Sequence, residues 1–399
     1  MKAKILVLGL VLATVTTVVI YPTLRSNATQ VVVPPPGNTI LPPLQGGKVE
    51  VVFVLDTTGS MGGLIDAAKE KIWSIASTLA QAKQAPEIRM GLVAYRDRGD
   101  AYVTQVVDLS KDLDSMYATL MRFQADGGGD GPESVNKGLF DAVHQMSWSQ
   151  DPQAYKVVFL VGDAPPHMDY QDEMKYPEIV AAAAKKGIVV NAIQCGQMSE
   201  TIGPWQQIAA LGDGRYFTVD QAGSALAIAT PFDDQLATLA AKLDATRLYY
   251  GSAPEQAAME RKVAATEEIV VTASSAAQAR RAAFNATASG VANLVGDKDL
   301  VADVASGRVD LAAVPEAELP PAVAHLPRAE LDALVKETSE QRQKLQSEIA
   351  ALAGQRDAFI AAKVEAAGGA AGSLDQEIYD AVREQAAPVG LTYDGGPKF

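Results

Sequence analysis

Cysteine is almost missing from this chain: Cys195 is the single one in 399 residues. One thiol excludes an intrachain disulfide and any cysteine-based zinc cage. Its expected role is that of a small buried hydrophobe near a strand end. Histidine is scarce too, and of the three present His144 and His325 show no partner spacing, so both are read as structural. Positive charge is in the minority: 34 Lys and Arg stand against 48 Asp and Glu, a net charge of −14. Nucleic-acid binding depends on clustered Lys and Arg that neutralise phosphates, so that partner class is excluded. An acidic surface is better matched to cations. The part after Ala245 has no glycine-rich phosphate loop and no lysine in a strand context suited to ATP.

Long apolar runs are confined to the N-terminus. Lys2 and Lys4 precede a stretch from Ile5 to Leu24 that is close to the length needed to cross a bilayer. It reads as a signal anchor or a cleaved signal peptide over 1–24, and either reading places the rest of the chain outside the cytoplasm. The expected location is the cell envelope, on the periplasmic or extracellular side, anchored in the inner membrane by that segment. Residues 25–47 include VVVPPPGNTILPPLQGG, where proline fixes φ and removes N–H donors, so an extended spacer is expected.

From Lys48 the pattern alternates. Apolar, β-branched runs at Val49–Leu55, Ile88–Tyr95, Tyr102–Leu109, Lys156–Val161, Ile188–Ile193 and Arg215–Val219 read as strands. Amphipathic stretches between them read as helices. This predicts an α/β, doubly wound, mostly parallel six-stranded sheet over 48–245. The link from Tyr95 to Tyr102 is too short for a crossover helix, so its two strands should be antiparallel neighbours. After Ala245 alanine becomes frequent. A mainly helical unit is expected over 246–399, with short β segments near Glu268–Thr272 and Val309–Val314 and a long helix over 328–366. The apolar stripe of that helix contains Arg342 and Arg356, which favours an intramolecular helix hairpin over a dimeric coiled coil.

One stretch carries chemistry. VVFVLDTTGSMGG, Val51–Gly63, is a buried strand that ends in a carboxylate and hydroxyls. Asp56, Thr58 and Ser60 stand at alternate positions, so their oxygens can converge. A second apolar strand ends in Asp163, within VGDAPPH. On adjacent parallel strands the two acids would flank one ion at the carboxyl edge of the sheet. Such an all-oxygen set suits a hard divalent cation, Mg²⁺ or alternatively Mn²⁺ or Ca²⁺. For Asp56, Thr58 and Ser60 the competing reading is a turn and helix cap. His167 is read as a loop histidine facing solvent or as part of the site rim. Asp97 and Asp100 are read as turn residues.

Asp56-x-Thr58-x-Ser60 resembles the metal-ion-dependent adhesion motif (MIDAS) of the von Willebrand factor A domain, and the order of strands and helices over Val49–Leu243 is similar as well. That resemblance implies a Rossmann-like fold, and two further loops that complete the site, one with a threonine and one with an aspartate. Asp163 matches the aspartate. Asp130, in ADGGGDGPESVNKG, stands where the threonine is expected. YRDRGD, GGGDGPE and DAPPH together resemble the subset of A domains found in von Willebrand-type alpha-kinases and their bacterial relatives. Asp130 and Glu133 also have capping-box spacing, so Asp130 is either a helix cap alone or a cap and a ligand together. The resulting metal set is Asp56, Thr58, Ser60, Asp130 and Asp163, with no catalytic residue. The expected function is a non-enzymatic module that engages a protein partner through a bound cation. The alternatives are a Mg²⁺-dependent enzyme, kinase-related or phosphoesterase, and a scaffold with a vestigial site.

Overall fold

The computed structural model describes residues 44, 46–129, 131–220 and 228–399. Its centre follows from the alternation in β1, Lys48–Asp56. Val49, Val51, Phe53 and Leu55 enter one apolar cluster, and Val52 and Val54 enter another. A strand with both faces buried must lie in the middle of a sheet with helices on each side. The other strands are β2 (Glu87–Tyr95), β3 (Thr104–Ser110), β4 (Tyr155–Gly162), β5 (Ile188–Cys195) and β6 (Tyr216–Val219). Their spatial order is β3-β2-β1-β4-β5-β6. All pairs are parallel except β2 with β3, the short link expected to be antiparallel. The chain moves outward from β1 through β2 to β3, then returns to β4 on the other side. β1 and β4 therefore form the switch point, where a cleft opens at the carboxyl edge.

Helices α1 (Gly62–Leu79) and α2 (Leu113–Arg122) cover one face, and α3 (Val135–His144), α4 (Tyr176–Lys185) and α5 (Ser199–Leu211) the other. Then follow α6 (Asp233–Asp244), α7 (Ala253–Thr272), α8 (Ser275–Asn285), α9 (Val291–Val295), α10 (Leu300–Ala305), α11 (Arg328–Ala366) and α12 (Leu374–Ala386). This tail shares the core of the sheet. Phe284 of α8 and Ile378, Tyr379 and Val382 of α12 join the cluster that holds α1 and α2. The described residues fall within one compact unit, Ile40–Phe399.

Two local expectations are corrected. Glu268–Thr272 is the last turn and more of α7, because Lys262, Thr266 and Ile269 are buried at helical spacing while Val271 faces solvent. Val309–Val314 holds a short 3₁₀ turn, Leu311–Ala313, capped by the Asp310 side chain, which accepts from the Ala312 N–H at 3.0 Å. The stripe of α11 packs within the chain: Leu345, Ile349 and Leu352 meet Leu236, Leu239 and Leu243 of α6. Its two arginines are paired, Arg342 with Asp299 at 2.7 Å and Arg356 with Asp233 at 2.8 Å. Cys195 is buried, and burial pushes its thiol well above the ordinary value.

The expected envelope location is also corrected. Among the described residues no helix is long and apolar enough to cross a membrane. Met1–Leu24, on which the anchor rested, and nearly all of the proline-rich spacer lie outside the described residues. Inner-membrane anchoring therefore has no structural basis.

Candidate metal centre

Asp56 is the last residue of β1 and is fully buried. The turn that follows is fixed from three sides. Thr57 donates through its N–H and its hydroxyl to the Tyr95 carbonyl, both at 2.9 Å. Its own carbonyl accepts from Arg96 Nε at 3.1 Å and from the Asp126 N–H at 3.2 Å. Thr58 then folds back on Asp56, whose Oδ1 accepts from the Thr58 N–H at 2.9 Å and the Thr58 hydroxyl at 2.7 Å. The hydroxyl proton is thus directed at Asp56, and the lone pairs of Thr58 Oγ1 stay available. Ser60 lies in the 3₁₀ turn Gly59–Met61 that leads into α1 and is exposed.

Asp163 follows the last residue of β4 and is buried. β4 comes close to Asp56 only because residue 162 is glycine: a Cβ there would lie 2.4 Å from Tyr95 Oη and 3.0 Å from Asp56 Oδ2. The backbone beyond it is clamped by α5. Thr201 Oγ1 donates to the Asp163 carbonyl at 2.7 Å, and Trp205 Nε1 to the Ala164 carbonyl at 3.0 Å. Burial, with the field of Asp163 added, pushes Asp56 up to about 7 in spite of the Thr58 bonds.

Glu133 also belongs to this region, and its capping-box spacing hid it. Helix α3 starts at Val135 with Ser134 in the N-cap position, so Glu133 lies just before the cap. Glu133 is held by backbone bonds to the DAPPH loop, from its N–H to the Pro165 carbonyl and from the His167 N–H to its own carbonyl. Burial, then Asp56, Asp97, Asp100 and Asp163, push it up to about 9. Asp130 itself lies outside the described residues.

The YRDRGD loop does more than turn. Asp97 is buried and accepts from Ser134 Oγ at 2.8 Å and from the Tyr170 hydroxyl at 2.8 Å. Asp100 accepts from the Gly128 N–H at 3.0 Å and so pins the glycine loop. Gly127 and Gly128 both have φ of +77°, which other residues rarely adopt. His167 does not face solvent. It is buried, stacked on Tyr170 at 4.0 Å, with Nε2 3.3 Å from Asp97 and Nδ1 2.8 Å from Asp169. These contacts lock the three loops around Asp56 to one another.

Asp56 Oδ2 and Glu133 Oε2 are buried without a hydrogen-bond partner among the described residues. Buried acceptors left unmet cost about 1–3 kcal/mol each, and like-charged carboxylates raise that cost. A divalent cation would relieve both, and the donors present are all oxygen, as a hard cation requires. Among the described residues no group of three or more His, Cys, Asp or Glu is placed to hold a metal. The described part of the expected site thus consists of two carboxylates and two hydroxyl residues.

Residues 50–230 match the family model described as von Willebrand factor A domain. Residues 50–230 are thus similar to that domain family, and they contain the six-stranded Rossmann-like sheet. Over 120 residues it is 30% identical to the alpha-protein kinase vwkA of Dictyostelium discoideum, covering 30% of this chain and 19% of that protein. Over 122 residues it is 27% identical to the putative ariadne-like RING finger protein R811 of Acanthamoeba polyphaga mimivirus, covering 30% of this chain and 11% of that protein. The match thus spans less than a fifth of either relative. Solved structures similar to it include proximal thread matrix protein 1 from the mussel byssus with a zinc-occupied MIDAS motif, at 17% identity and a TM-score of 0.35, covering 43% of this chain and 41% of that one. The SpRpn10 VWA domain is similar at 13% identity and a TM-score of 0.34, covering 44% and 88%.

Proposed function

We propose that this chain is a non-enzymatic binding module that holds a divalent cation, Mg²⁺ or alternatively Mn²⁺ or Ca²⁺, at Asp56, Thr58, Ser60, Asp130 and Asp163, and engages a protein partner there. The observation that supports it most is the orphaned Asp56 Oδ2, buried beside Asp163 at the switch point of the sheet. When bound, the cation would supply an open coordination position for a partner's oxygen. The residues of this chain do the rest. Thr58 orients Asp56, Gly162 admits β4, and the Asp97–His167–Tyr170 contacts hold the rim in place. Met168 and Met174 after β4, and Met198 and Ile202 after β5, are exposed at the same edge and give a partner apolar surface beside the polar centre. With Asp130 as a third carboxylate the set outweighs a dication, which favours neutral or basic partner groups over acidic ones.

The test is calorimetry of Mg²⁺ with the full chain, with capture of partners in the presence of Mg²⁺ or EDTA. Saturable binding that Asp56→Asn abolishes, with partners lost in EDTA, is the expected result. Partners retained by a metal-free Asp56→Asn protein would assign the scaffold role instead.

A further inference from the structure

A second polar site lies away from the sheet edge, in a cavity of about 300 Å³ walled by α1, α8 and α11. Arg280, Arg356 and Lys398 line it, with Ser74 and Asp357. Arg280 and Arg356 are each 2% exposed, so their guanidinium groups are withdrawn from bulk water. Each uses part of its fork on an acid. Arg280 Nη1 donates to Glu70 Oε2 at 3.0 Å, and Arg356 Nε to Asp233 Oδ1 at 2.8 Å. Arg356 Nη1 also donates to the main-chain oxygen of Phe399 at 3.1 Å, and Lys398 Nζ to Asp357 at 2.6 Å. The remaining N–H groups, Arg280 Nε and Nη2 and Arg356 Nη2, have no partner among the described residues, nor does Ser74 Oγ.

Buried donors left unmet are costly, and two buried guanidinium groups in one neighbourhood repel. Burial first, and the charge of Arg356 second, pull Arg280 below its ordinary value. A group that meets these donors must present several acceptor oxygens at once, and a negative charge on it would offset the repulsion that Glu70 and Asp233 leave between the two guanidinium groups. A planar guanidinium matches the oxygens of a phosphate two at a time. A neutral acceptor would leave the repulsion in place. An apolar occupant would leave the donors unmet.

We infer that this cavity binds a tetrahedral oxyanion, as inorganic phosphate or as the phosphate group of a small molecule, between the Arg280 and Arg356 forks, with Ser74 Oγ on its wall and Lys398 completing the positive lining. The site is independent of the metal centre.

The test is a ³¹P NMR titration of the full chain with inorganic phosphate, in EDTA and at ionic strength held constant with chloride. Glycerol phosphate is titrated in parallel. Saturable binding of one phosphate per chain is expected, weakened at least tenfold in Arg280→Gln. Ala283→Leu fills the cavity from α8 without removing a charge, and it should abolish binding while the fold survives. If Arg280→Gln does not fold, Ala283→Leu decides alone. Binding of the ester as well as phosphate assigns a phosphorylated molecule that reaches in from solvent, and binding of phosphate alone assigns the free ion. No saturable binding by the wild type, or unchanged affinity in a folded Ala283→Leu protein, overturns the inference.

Discussion

Arg281→Met tests whether the helical tail and the sheet are one cooperative structure. Arg281 sits on α8 and reaches two acids on other elements. Nε and Nη2 donate to Asp114 of α2 at 2.7 and 2.6 Å, and Nη1 donates to Asp244 of α6 at 2.8 Å. Asp114 is fully buried, with Asn293, Thr266 and Lys262 completing its surroundings. Methionine keeps much of the side-chain volume and removes the charge. Asp114 is then left with Lys262 at 3.7 Å as its nearest cation. Removing one partner of a buried pair costs about 3–5 kcal/mol, because the other charge stays buried. Urea unfolding should show that loss in a single transition that includes the sheet. The pH dependence has a definite sign. Burial acts to raise Asp114, but the charge of Arg281, then of Lys262, outweighs it and holds the carboxyl well below the usual range. A depressed folded value adds stability above the unfolded value of 3.8, and that stability is lost as pH falls below it. The variant should lose this acid slope or invert it. A loss under about 1 kcal/mol, as for an exposed pair, with the slope unchanged, would refute the reasoning.

Gly162→Ala should be destabilised by about 1–3 kcal/mol through overpacking, since its Cβ would meet Tyr95 Oη and Asp56, and thermal melts with and without Mg²⁺ measure that together with the expected loss of metal affinity. Asp130→Thr restores the residue usual in A domains. In the full chain it should weaken Mg²⁺ binding by about tenfold, equal to ~1.4 kcal/mol, and unchanged calorimetric affinity would remove Asp130 from the ligand set.

The sheet was legible because its strands are unbroken apolar runs joined by helices of clear periodicity. β1 shows it best, since no other arrangement buries Val49 through Leu55 on both faces. The tail was less legible. Ile269-Val270-Val271-Thr272 is β-branched and reads as a strand, yet only Ile269 is buried, and the helix is set by Lys262 and Thr266 meeting Asp112 and Asp114 in distant sequence. The placement of Asp56 and Asp163 at neighbouring strand ends could be read from the sequence. Glu133 could not, because its role depends on the DAPPH loop 30 residues on pairing with its backbone. The solvent-facing reading of His167 fails for a similar reason, while the rim reading stands: its burial comes from Asp97 and Tyr170, and nothing in DAPPH itself signals either contact.

Helix α1 begins directly after the turn that carries Thr58 and Ser60, and it runs roughly 27 Å at the usual rise per residue. Along that length it is bolted to the tail. Lys71 pairs with Asp375 of α12, Glu70 with Arg280 of α8, and the Trp73 ring rests on Phe284. Close-packed interiors do not yield gradually. Seen mechanically, α1 is a strut with one end at the sheet edge and its shaft embedded in the helical tail. A load applied at the turn is therefore borne by the tail as well as by the sheet.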